Sequence, residues 1–169
     1  MSASALQRVV VTDANIIINL IHADHLPLLR ALPGYEFVVP EDVVSEIADP
    51  VQQAALQAAI SEGHIRQETI IAPAELARYA QLRQVVGKGE AACLTLAESR
   101  GWLIASDEKR RFHREVIASL GQGYLVTTPG LFVLGIRAGV ISVEQADHAK
   151  AVLEGHRFRM GFKSFREVI

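Results

Sequence analysis

The stretch VVVTDANIII, Val9 to Ile18, places an aspartate between two segments that both belong in a core. The β-branched run Arg8 to Thr12 is short, as a buried strand is. The segment after Asp13, ANIIINLIHADHLPLL, has the length and periodic apolarity of a helix interrupted at Pro27. A carboxylate at such a junction is costly to desolvate unless something pairs with it. Asp13 therefore either caps the helix that follows or belongs to a charged site assembled with other parts of the chain.

The same strand-then-helix unit recurs. YEFVVP reads as a second strand, stopped by Pro40, and EDVVSEI as a short helix with acids in its first turn. WLIAS is a third strand followed by the basic helix DEKRRFHREVIASLG, and GYLVT is a fourth. TPGLFVLGIRAG reads as a helix with Thr128 as N-cap and Pro129 at its first position. Four more helices are expected: VQQAALQAAI, APAELARYAQLRQVV, GKGEAACLTLAESRG and SVEQADHAKAVLEG, the last with Ser142 and Gln145 at capping-box spacing. With no tandem hairpins, repeats or flexible linker, this alternation predicts a single α/β domain over 1–169. Its central parallel sheet would carry helices on both faces. In such sheets sites form beyond the carboxyl ends of the strands.

At 169 residues, half of them hydrophobic, the chain is long enough to bury a core without disulfides or structural metal. Cys93 is the only cysteine, which excludes an intramolecular disulfide and a cysteine-based zinc site and fits a reducing cytoplasm. No apolar run approaches the ~20 residues that span a bilayer. Asp13 and Asn15 also interrupt the N-terminal apolar segment, against a signal peptide. The net charge of -2 conceals an asymmetry: seven basic against fourteen acidic residues up to Glu108, ten against five beyond it. That division suits a metal site bordered by a phosphate-binding surface, or simply two differently decorated solvent faces.

Other strand ends carry acids too. Asp107 follows the third strand as Asp13 follows the first, and both emerge at one edge of a parallel sheet. Glu46 in VVSEI and Glu90 in GKGEAA lie on helices able to reach that edge. Singly, each has an ordinary explanation: caps for the aspartates, a favourable helix start for Glu90, solvent for Glu46. Gathered together, four carboxylates repel one another and coexist only with neutralising cations. Oxygen ligands without His or Cys suit Mg²⁺ or Mn²⁺. Such a metal lowers the pKa of a bound water and clamps phosphate oxygens, the chemistry of phosphodiester hydrolysis.

The ordered series VVVTDAN, VVSEI, GKGEAACLTLA, WLIASDEKRR and LVTTPGLFVLGIRAG resembles the PIN-domain ribonuclease family. Within it, the series is similar to the bacterial and archaeal branch with the GEA motif, which contains the VapC-type toxins of toxin–antitoxin systems. The resemblance implies a PIN-like fold in which Asp13, Glu46, Glu90 and Asp107 are the catalytic metal ligands. Asn15 would hold the Asp13 carboxylate or a water, and Ser106 takes the usual hydroxyl position. Glu108 stands where the branch often has a second aspartate, and either assists or faces solvent. Thr128 occupies the place of a Gly-Thr threonine, where it either contacts substrate phosphate or a metal water, or caps its helix. The implied activity is a Mg²⁺- or Mn²⁺-dependent endoribonuclease leaving a 5′-phosphate and a 3′-hydroxyl. A homodimer and a small antitoxin partner are implied with it.

Other signals are weaker. GKGE lacks P-loop spacing and does not follow a strand, and the six histidines show no zinc-binding pattern. Lys109, Arg110, Arg111 and Arg114 read as one helix that either tracks an RNA backbone or is solvated. The tail from Arg157 to Phe165 mixes basic and stackable residues, with packing on the core preferred over single-strand binding. The alternative function is a nucleic-acid- or protein-binding module on the same scaffold that does not cut. A phosphatase of the haloacid dehalogenase type would want Asp-x-Asp after the first strand, where this chain has Asn15.

Overall fold

Arg8–Thr12 does form a strand, β1, and it lies at the centre of the sheet. A computed structural model describes residues 7–169. In it, β1 joins β2 (Tyr35–Pro40), β3 (Arg66–Glu68), β4 (Leu103–Ala105) and β5 (Leu125–Val126) in the order β3-β2-β1-β4-β5. Every pairing is parallel. Val10, Val11 and Thr12 are wholly buried, as are Val38 and Val39 beside them, because both sheet faces are covered. Unbroken β-branched runs are what such strands require.

The helices are α1 (Ala14–His22), α2 (Leu28–Ala31), α3 (Glu41–Glu46), α4 (Pro50–Ser61) and α5 (Pro73–Leu82). They continue with α6 (Lys88–Arg100), α7 (Arg111–Leu120), α8 (Thr128–Arg137) and α9 (Val143–Gly155). On one face α1 packs with α4, α8 and α9, and on the other α6 packs with α5 and α7. Ala91 to Ala97 of α6 are all buried, and the small residues there let the helix lie close against β1 and β4. Cys93 sits inside this helix, and burial pushes its thiol well above its usual range. The chain belongs to the α/β class expected from its alternation of elements.

The path of the chain locates the site. From β1 it builds β2 and β3 outward on one side, then returns to lay β4 and β5 on the other. The order reverses between β1 and β4, the kind of switch point where a crevice opens beyond the strand ends. Asp13 leaves β1 there, and its N–H donates to Ala105 O of β4 at 2.9 Å. Ser106, Asp107 and Glu108 leave β4 at the same place.

Three local expectations need correction. β3 was not expected, because HIRQETII carries no strand-like alternation. As an edge strand it is held by pairing with β2 and by Arg66, whose Nε donates to Glu36 Oε1 at 2.9 Å. The basic helix begins at Arg111, not at Asp107, so Lys109 and Arg110 lie in the preceding turn rather than on one helix with Arg111 and Arg114. The N-cap of α8 is Thr127, whose Oγ1 accepts from Gly130 N at 3.2 Å, and Thr128 is the first helical residue.

Elsewhere the reading matches. Ser142 and Gln145 form the reciprocal capping box on α9. The tail packs, with Phe165 buried 5.8 Å from the Phe132 ring and 4.9 Å from Phe162. Asp147 fastens it by accepting from Ser164 Oγ at 2.6 Å and Phe165 N at 2.8 Å. Among the described residues no helix is long and apolar enough to cross a membrane.

Candidate active site

Asp13 is the N-cap of α1 as well as a residue of the switch point. Its Oδ1 accepts from Ala14 N at 2.8 Å, and its Oδ2 accepts from the Ser106 hydroxyl at 3.1 Å. Burial dominates and pushes its carboxyl up from 3.8 to about 6. These two hydrogen bonds oppose the shift, while the nearby Glu46 and Glu108 carboxylates add to it. Capping and site membership are thus not alternatives for Asp13.

Glu46, the last residue of α3, reaches the start of α6, where its Oε1 accepts from Gly89 N at 2.9 Å. A carboxylate on the orphan N–H groups of a helix start is favoured by the dipole. The contact needs glycine, since a Cβ at position 89 would stand 2.6 Å from Glu46 Oε2. The GKGE motif is therefore a seat for one acid placed beside another. Glu90, the next residue, is half-buried, and its carboxyl is pushed up from 4.5 to about 7. Desolvation is the main cause, followed by repulsion from Asp13, Glu108 and Glu46.

Asp107 and Glu108 leave β4 into different surroundings. The Asp107 carboxylate turns toward α8 and α1. Its Oδ1 accepts from Thr128 N at 2.8 Å, and its Oδ2 accepts from the Thr128 hydroxyl at 2.6 Å and from Asn19 Nδ2 at 3.0 Å. Burial raises its pKa against those bonds, and no other carboxylate figures among the leading causes. Glu108 is exposed and is the acid from this stretch whose charge is felt by both Asp13 and Glu90. Ser106 ties the two sides together, since its Oγ donates to Asp13 and accepts from Glu108 N at 3.2 Å. Asn15 Oδ1 accepts from Asp107 N at 3.2 Å, so it holds the β4 exit rather than the Asp13 carboxylate.

Asn19 was overlooked in the sequence. It lies one turn beyond Asn15 on α1, a buried amide in an otherwise apolar helix, and that spacing on one helical face was its signal. Thr128 is buried with its hydroxyl directed at Asp107, which makes it a strut rather than an exposed ligand.

Asp13, Glu46, Glu90 and Glu108 therefore share one electrostatic field at the sheet edge. Among the described residues no three acidic, His or Cys side chains are drawn to metal-ligating spacing as they stand, so the coupling acts over longer separations. Cations flank the field. An open depression of about 470 Å³ runs from Glu90 and Glu108 to Arg83, Arg110 and Arg111. On the other side a groove of about 890 Å³ runs from Glu108 along α7 past Lys109 and Arg114. Among the described residues Lys109, Arg110, Arg111 and Arg114 enter no ion pair.

The chain is thus a parallel α/β domain with acids at its switch point and basic residues around them. A family profile described as PIN domain matches residues 9–169, and the chain belongs to that family. PIN domains are generally nucleases and typically use divalent metals. No curated protein matches the chain at a significant level.

Proposed function

We propose that this chain is a Mg²⁺- or Mn²⁺-dependent endoribonuclease of the VapC-type, GEA-motif branch, acting as the toxin of a toxin–antitoxin pair. The observation that carries the hydrolase is the convergence of acids at the end of β1, where Asp13 and Glu90 are raised by burial first and by the neighbouring Glu46 and Glu108 carboxylates after it. A cation placed among these carboxylates would offset the repulsion that Asp13 and Glu90 feel from their neighbours. The donor set is all oxygen, which fits a hard divalent ion. Mg²⁺ keeps several waters and takes only one or two carboxylates plus substrate phosphate, so the open spacing of these acids suits it. When bound, the ion would supply a Lewis acid for the phosphate oxygens and lower the pKa of a water.

In this reading Asp13, Glu46, Glu90 and Glu108 hold the metal. Ser106 keeps Asp13 and Glu108 in register, and Gly89 seats Glu46. Asp107, Asn15, Asn19 and Thr128 are positioning residues that lock the end of β4 to α1 and α8. Lys109, Arg110, Arg111 and Arg114 bind the RNA backbone, consistent with their lack of carboxylate partners. The complete acid set speaks against a module that binds without cutting. The toxin reading carries with it a single unit over 1–169, a homodimer, a small antitoxin partner and a cytoplasmic place.

The test is cleavage of mixed single-stranded and structured RNA by the purified chain in Mg²⁺, Mn²⁺ or EDTA, beside Asp13→Asn. Metal-dependent cutting lost in the variant supports the nuclease. Intact RNA in every metal, with a gel shift, points to the binding module.

A further inference from the structure

The groove of about 890 Å³ along α7 and β5 shares Glu108 with the proposed metal site and extends away from it. It is lined by Ser106, Asp107 and Glu108 and by the apolar Ile117, Ala118 and Leu125. Polar and basic residues line it as well: Lys109, His113, Arg114 and Gln122. On α7 the groove-facing residues His113, Arg114, Ile117 and Ala118 follow helical spacing, so one stripe of the helix forms the wall. That stripe passes from cationic and ring-bearing near the acids to apolar farther away.

This is the complement of one nucleotide. A base has flat apolar faces and a polar edge, and it carries an anionic phosphate at one end. An imidazole or guanidinium plane stacks on a base, aliphatic side chains cover its face, and a glutamine amide offers both a donor and an acceptor to its edge. Lys109 and Arg114 are free to meet the phosphate, since among the described residues neither is paired. The position fixes which nucleotide is meant, because the wall holding Glu108 is the wall nearest the scissile bond.

We propose that this groove seats the base adjoining the scissile phosphate of an RNA strand and sets the base preference of the cut. The proposal rests on the nuclease reading above. Ala118 is exposed on α7 and Gln122 lies in the turn after it, so substitutions at either leave the core intact.

The test uses short RNA oligonucleotides in which a single abasic position is walked through the sequence. Cleavage in Mn²⁺ is followed with the wild-type chain. Binding by Asp13→Asn is followed separately by fluorescence anisotropy, which reads the groove whether or not any bond is cut. One abasic position next to the cleaved bond is expected to weaken binding on the order of tenfold, the value of a single stacked base. Ala118→Trp, which fills the groove, and Gln122→Ala, which removes the edge contact, are each expected to flatten the base preference while cleavage continues. Cutting with no position dependence, or an unchanged preference in Ala118→Trp, overturns the proposal and assigns the groove to another occupant such as a protein partner. Position-dependent binding by a chain whose wild type cuts nothing removes the nuclease, and with it the scissile phosphate that the proposal names, leaving the groove a base seat alone.

Discussion

The backbone N–H of Gly89 donates to Glu46 Oε1 at 2.9 Å, across a space that any larger residue at position 89 would occupy. The helix start holds an acid that the sequence alone leaves looking like an exposed helical glutamate. Gly89→Ala replaces a helical glycine with the best helix former, a change worth up to about 1 kcal/mol in favour of folding. Only the end of a flexible glutamate has to move. The variant is expected to melt at or above the wild-type temperature while its RNA cleavage falls on the order of tenfold. Thermal melts and cleavage rates measured together check this opposition.

Asp107 and Glu108 are expected to separate along the same axis in reverse. Asp107→Asn sets an amide donor against the donors of Asn19 and Thr128, leaving buried groups unsatisfied at a cost of about 1–3 kcal/mol. Its melting temperature drops, and activity falls through disorder of the β4 exit. Glu108→Gln, at an exposed position, changes stability by less than about 0.5 kcal/mol. Its cleavage and its Mn²⁺ affinity fall at least about tenfold.

The raised acids make stability depend on pH in a direction opposite to the usual carboxylate. Asp13 at about 6 and Glu90 at about 7 bind protons in the folded chain that the unfolded chain, with values near 3.8 and 4.5, has already released. Metal-free protein therefore has this stability in full below the unfolded values of 3.8 and 4.5, and loses it as pH rises from there through the folded values of about 6 and about 7. The more deeply buried Asp13 contributes on the order of 2–3 kcal/mol to that loss. Melts in EDTA from pH 4 to pH 8 are expected to show the decline, and Asp13→Asn to flatten its lower part. Adding Mn²⁺ restores stability at pH 8 and does little at pH 5, where protons already occupy the carboxylates.

Ser106 acts through its neighbours. Its hydroxyl lowers the Asp13 pKa, so Ser106→Ala moves the acid limb of the pH–rate profile to higher pH. A variant that merely loosened the fold would lower the rate at every pH without moving the limb.

The sheet and the position of Asp13 were legible because burial on both faces leaves an unmistakable β-branched run, and a parallel sheet delivers every strand end to one edge. β3 was hidden because an edge strand of three residues, Arg66–Glu68, buries too little to need an apolar pattern. The choice between Asp107 and Glu108 was hidden for a different reason. Which way the Asp107 carboxylate turns depends on Asn19 and Thr128, 88 and 21 positions away in the chain, while Glu108 is left exposed. The α8 cap lies at Thr127 because its own hydroxyl accepts from Gly130 N, a choice between two adjacent threonines that sequence leaves open.

In the proposed nuclease, acids at the β1–β4 switch point hold the metal, and Glu108 rather than Asp107 is the fourth of them. The decisive measurement is the single-turnover cleavage of RNA in saturating Mn²⁺ by wild type and Glu108→Gln, with melts confirming that both are folded. The predicted result is metal-dependent cutting by the wild type and its loss in a fully folded Glu108→Gln. Undiminished cutting by Glu108→Gln would contradict the assignment and return the fourth metal-binding place to Asp107.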